Sequence, residues 1–130
     1  MREINIKFIP HEEQRYSTCG NYWKDKNGNI QIRVSILNNK NMENLVALHE
    51  LVECLLIYER NIPEESITLF DIAFDESGSL GEPGDSKESP YRKEHFFATS
   101  LERLMAGELN VDWNDYEHYI MKLFGDKDER

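Results

Sequence analysis

Cysteine is scarce in this chain of 130 residues: Cys19 and Cys54 are too few for a disulfide scaffold. No apolar run approaches the roughly 18 residues of a membrane span, so no membrane partner is expected. The N-terminal MREINIKF has no secretory apolar region, which makes the cytoplasm the expected location. Positive charge is also short, with 15 Lys and Arg against 25 Asp and Glu, a formal net charge of −10. Nucleic acid is not expected as a partner, because phosphate binding rests on an excess of basic side chains. Internal repeats, a glycine-rich phosphate loop, a serine nucleophile elbow and a Cys-His pair are all missing.

What is present is an ordinary globular composition, 39% hydrophobic and 31% charged, that suits one domain over residues 1–130 with a modest core. The most informative stretch is Asn41 to Arg60, NMENLVALHELVECLLIYER. At about 100° per residue, Met42, Leu45, Val46, Val52, Leu56 and Ile57 fall within about 80° of the direction of His49 and form the apolar stripe of a helix. Glu53, one turn on, lies about 40° from His49 on that stripe. An imidazole and a carboxylate pushed into a core cost several kcal/mol unless they are paired or bound to a cation. Cys54 points about 140° away and is not a candidate ligand.

The order His49-Glu50-x-x-Glu53 resembles the HExxH helix of zincin-type zinc metallopeptidases, with Glu in place of the second His. The resemblance implies His49 and Glu53 as metal ligands and Glu50 as the general base toward a metal-activated water, with zinc or another divalent transition metal as cofactor. It also implies an open-edged strand just before the helix for an extended substrate, here Ile30 to Leu37. A second helix, YRKEHFFATSLERLMAG, carries His95 on a face with Tyr91, Ala98, Thr99, Glu102 and Ala106; Glu102 lies about 20° from His95 in projection. Its Glu94-His95-x-x-Ala98 is similar to the third-ligand helix of small intracellular metallopeptidases, which implies His95 as third ligand. Glu102 is then a supporting carboxylate. Phe97, Leu101 and Leu104 are expected to pack on the opposite side of that helix.

The rest of the chain frames these two helices. EINIKFIP alternates as a half-buried strand, Tyr16 to Lys24 reads as a weaker one, and Ile30, Ile32, Val34 and Ile36 mark the clearest. Asn27-Gly28 favours a tight hairpin turn between the last two. Three antiparallel strands within residues 1–37 therefore precede the helix over 41–60, whose N-cap is an Asn of NNKN. Pro63 restarts a helix with Ile67, Phe70 and Phe74 on its buried side. Residues 75–89 read as an acidic loop; residues 61–90 hold one Lys or Arg against eight Asp or Glu. A solvated, mobile loop is the plain reading, and a lid, a cation site or a mimic of nucleic acid are the sharper ones. It lacks the D-x-D-x-D-G spacing of a calcium loop. Ser89-Pro90 starts the helix over 90–107, ended by Gly107, and Asp112 caps a last one over 112–124 with Trp113, Tyr116, Ile120, Leu123 and Phe124 packing. The charged end GDKDER is expected to fray. His11 and His118 read as surface histidines.

The expected fold is α+β, a small antiparallel sheet followed by a helical body, zincin-like. Its expected function is a zinc-dependent, peptidase-like hydrolase acting on a peptide or protein. The alternative is a non-enzymatic acidic protein, similar in layout to small phage or prophage proteins, that binds a host protein while His49, Glu53, His95 and Glu102 merely hydrogen-bond one another. A di-metal carboxylate bundle is disfavoured, because Glu-x-x-His pairs are absent and strands fill the first third.

Overall fold

The computed structural model of the chain describes residues 1–79 and 81–125. Leu80, within the acidic loop, and 126–130, the end expected to fray, lie outside the described residues, as does the Phe124 side chain. The architecture is α+β: strands β1 (Ile4–Ile9), β2 (Gly20–Lys24) and β3 (Ile30–Ser35) precede helices α1 (Lys40–Glu59), α2 (Glu64–Glu76), α3 (Arg92–Glu108) and α4 (Trp113–Gly125). No helix among the described residues is long and apolar enough to cross a membrane.

The sheet is mixed rather than antiparallel, in the order β1-β3-β2. β2 and β3 form the expected hairpin, with Gly28 at φ 82 and the Asp25 carboxylate accepting from the Asn27 and Asn29 amides at 2.9 and 3.0 Å. That hairpin takes one edge of β3 and leaves the other to β1, which pairs with it in parallel, Ile6 opposite Ile32. No two-residue turn signal lies between β1 and β2. Residues 10–19 instead cross the end of β3, held there by His11 Nδ1 at 2.8 Å and Gln14 Nε2 at 3.1 Å from Ser35 Oγ. His11 is thus a half-buried strap residue and not a surface histidine, whereas His118 is exposed.

One further expectation changes with this topology. β3 is the central strand, so Ile30 to Leu37 offers no open edge. The edge near α1 is β2, but its Tyr22 and Lys24 amides already donate to Asn21 Oδ1 and Glu64 Oε2, at 2.9 and 3.0 Å. Satisfied outward donors close an edge to strand addition.

The core lies between β3 and α1. Ile32, Val34, Leu45 and Ile57 are completely buried, each contributing about 1.5–3 kcal/mol by removal from water. Asn39 caps α1, its side chain accepting from the Met42 amide at 3.1 Å. α1 and α3 end alike, with Asn61 and Asn110 at φ 55 and 56 and the next amide, Ile62 or Val111, returning to a carbonyl of the last turn. Gly107 is therefore inside α3. That helix begins two residues after Pro90, with Ser89 Oγ accepting from the Tyr91 amide at 3.3 Å. Phe97 and Leu104, expected to pack, are 51% and 70% exposed because no layer among the described residues covers the outer face of α3.

Candidate metal centre

α1 supplies His49 and Glu53, α3 supplies His95 and Glu102, and all four are buried. Small Ala98 and Ala106, at 0% and 1% exposure on the same face of α3, let the helices approach closely enough for the side chains to meet. His49 Nε2 lies 3.0 Å from Glu53 Oε2 and 3.1 Å from His95 Nδ1, which is itself 3.1 Å from Glu53 Oε2. Three ligand-type atoms thus form a nearly equilateral triangle inside the protein.

Their outer partners decide which lone pairs face the triangle. Glu102 Oε1 sits 2.7 Å from His49 Nδ1, which places that ring's proton on Nδ1 and a lone pair on Nε2. The Tyr116 hydroxyl donates a short hydrogen bond to Glu102 Oε2. The Tyr22 hydroxyl donates to Glu53 Oε1 at 2.9 Å, leaving Oε2 directed inward. His95 Nε2 is buried with Asp85 Oδ1 3.1 Å away, close enough to attract its proton although off the line of a good hydrogen bond. With both imidazoles neutral, His49 Nε2, His95 Nδ1 and Glu53 Oε2 are three acceptors with no donor among them. Such a group is strongly unfavourable unless a proton or a metal cation enters it. The spacing suits a metal: ligands about 2.0–2.1 Å from tetrahedral zinc stand about 3.3–3.4 Å apart, reached here by shifts of a few tenths of an ångström.

The proton affinities report the same demand for positive charge. Burial pulls His49 toward its neutral form, but Glu102 and Glu53 together outweigh it and hold the imidazole well above the usual histidine range. His95 is pushed up to about 10, burial again being overcome, there by Asp85 and Glu53. For Glu53, burial is overcome by His49 and His95, which bring the carboxyl down to about 2. Glu50 behaves oppositely: burial first and the Glu53 charge second push it up to about 8. No hydrogen-bond partner faces its carboxylate among the described residues. Gly20 of β2 makes room for it, since a Cβ there would stand 2.6 Å from Glu50 Cγ.

Part of the acidic loop packs on the centre. A one-turn helix, Pro83–Asp85, presses Gly84 against the His95 ring, where a Cβ would lie 2.4 Å from Cγ. The solvated-loop expectation therefore fails for residues 82–84, while Asp85 stays exposed with its carboxylate beside His95. Glu82, Asp85 and His95 Nε2 also lie within 4.8 Å of one another, but this grouping shares His95 and extends the same centre. Beside it opens a cleft of about 380 Å³ bordered by His49, Glu50 and Glu102, with Val46, Trp113 and Ile120 among its apolar walls. Cys19 borders this cleft as a free thiol, Cys54 is buried away from it, and the Glu94 carboxylate pairs with Arg60 at 2.6 Å.

Tyr22, Tyr116 and Asp85 are the residues of the candidate site that the sequence did not mark as such. Tyr116 carried a packing signal from its helical period, but a hydroxyl's partner is a tertiary fact, and Asp85 had no periodicity to mark it. Comparison of the chain with protein-family models, curated proteins and solved structures finds no match in any of the three. The buried cluster of His49, Glu53 and His95 could hold a metal ion.

Proposed function

We propose that the chain is a metal-dependent hydrolase of peptide bonds with a zincin-like constellation, in which His49, Glu53 and His95 hold zinc or another divalent transition metal and Glu50 is the general base. The observation that carries this reading is the convergence of three inward lone pairs in the core beside an open cleft bordered by the Glu50 carboxylate, which has no hydrogen-bond partner among the described residues. A divalent cation there supplies Lewis acidity toward a water molecule and a substrate carbonyl. Glu102 and Tyr116 fix the His49 tautomer, Asp85 holds the far side of His95, and Tyr22 orients Glu53. Glu50, whose affinity for protons is raised, takes the proton of the attacking water and delivers it to the amine leaving as the C–N bond breaks.

Elemental analysis of protein purified without chelator tests the reading, with about one equivalent of divalent metal per chain as the expected result. Zinc added to chelator-stripped protein should raise the melting temperature, since free metal at 100 times its Kd stabilises the fold by about 2.7 kcal/mol. A peptide mixture incubated with the loaded protein should then be cut. No metal and no thermal shift would leave the cluster as a hydrogen-bonded network and favour an acidic, phage-type binding protein.

A further inference from the structure

We propose that the cleft beside the centre receives a basic side chain, the guanidinium of Arg or the ammonium of Lys, from a peptide or protein substrate. This deepens the proposed function, resting on it for the fate of the peptide but not for its binding. Five carboxylates, those of Glu50, Glu82, Asp85, Glu102 and Glu117, border the cleft, and among the described residues no Lys or Arg does. Adding Glu53 makes six negative groups; one bound dication leaves −4, and counting Glu50 and Glu82 as neutral still leaves −2. A concave, partly apolar cleft concentrates such a potential and draws in cations.

The walls match the two ends of a basic side chain. Val46 and Ile120, both buried, offer an apolar floor to an aliphatic stem. The Phe96 and Trp113 rings stand beside the carboxylates, a setting that favours a flat cation. Arg92 and Arg103 already stack on these rings, 4.5 and 5.6 Å from their centroids, but neither borders the cleft; His49 faces Glu102 and His95 faces Asp85, which leaves Glu50, Glu82 and Glu117 without a cationic partner among the described residues. About 380 Å³ suits one side chain with adjoining backbone, and the same charge repels a phosphate chain. With the Tyr22 and Lys24 amides of β2 occupied, side-chain capture in the cleft is left to select the ligand.

The test is fluorescence anisotropy with dye-labelled, end-capped peptides Ala-Ala-X-Ala-Ala, X being Arg, citrulline, Leu or Glu, on zinc-loaded and on chelator-stripped protein. Chromatography confirms that each peptide stays intact. The Arg peptide should bind about tenfold or more tighter than its citrulline isostere, the usual worth of charge-assisted hydrogen bonds, and the Glu peptide weakest. The double variant Glu82→Gln/Glu117→Gln should bring Arg and citrulline within about threefold. Glu12→Gln/Glu13→Gln, with the same change in net charge away from the cleft, should leave the preference intact. Equal binding of Arg and citrulline, tighter binding of Leu, or a preference that survives the cleft variant would overturn the inference. Failure of the metal reading shows separately, as absent zinc with the Arg-to-citrulline ratio unchanged.

Discussion

Glu50 and Glu53 stand three positions apart on α1, yet their surroundings drive them in opposite directions. Glu53 is ionised by two imidazoles, whereas Glu50, buried and crowded by the charge of Glu53, holds its proton up to about 8. Glu50→Gln should therefore keep the metal and lower hydrolysis by at least about 100-fold, the usual worth of a positioned base. It should also stabilise the metal-free protein. A carboxyl raised from 4.5 to about 8 costs stability progressively across that interval and fully above it. At pH 8.5 the glutamine, which carries no charge, should raise the melting temperature by roughly 3–6 °C, about 1 kcal/mol for a domain of this size. A fall instead would show that Glu50 supports the fold. Glu102→Gln addresses the other half of the site: a neutral amide holds His49 Nδ1 less firmly, and zinc affinity measured by competition with a chromophoric chelator should drop about 10–100-fold.

The loop between α2 and α3 couples the core to the centre through Gly84 and Asp85. Gly84→Ala puts a methyl group 2.4 Å from His95 Cγ, so the ring or the turn has to move. The expected cost is about 1–3 kcal/mol in urea unfolding, with zinc weakened at least about tenfold through misplacement of His95. Gly78→Ala is the control. Its φ of 76 makes alanine strained by about 1–2 kcal/mol, but open space surrounds it and zinc affinity should not change. The coupling was not legible in the sequence, because an acidic stretch without period gives no hint of what it covers. β1 escaped for a related reason: its alternation marks a strand but says nothing about which edge of β3 it joins. The apolar Phe97 and Leu104 suggested a second layer that the fold does not supply. By contrast, α1 and α3 were readable nearly to their ends, since polar residues recurring on an apolar stripe leave a periodic trace. That trace makes the meeting of His49, Glu53, His95 and Glu102 legible in the sequence.

Taken whole, the metal-free protein carries an excess of negative charge and a core that seeks a cation, so its stability and its metal affinity should vary with pH in opposite ways. His95, raised from 6.5 to about 10, contributes stability that is fully present below pH 6.5 and is lost as pH climbs through about 10. Glu53, lowered from 4.5 to about 2, contributes stability present above pH 4.5 and lost as pH falls through about 2. The proton-filled site is therefore most stabilising between about pH 4.5 and 6.5. A metal has to displace that proton, so its affinity should rise with pH, about tenfold per unit for each proton released. Thermal melts at pH 5.5, 7.0 and 8.5, with zinc and with chelator, separate the two effects. Without metal the site's stabilisation should weaken over this series; the shift produced by zinc should be smallest at pH 5.5 and largest at pH 8.5. Calorimetry in two buffers of different ionisation enthalpy should count at least one proton released per metal near pH 7. A zinc shift that is the same at all three pH values, or metal uptake without proton release, would mean that zinc binds elsewhere, on the acidic surface, and that His49, Glu53 and His95 serve only to hold one another.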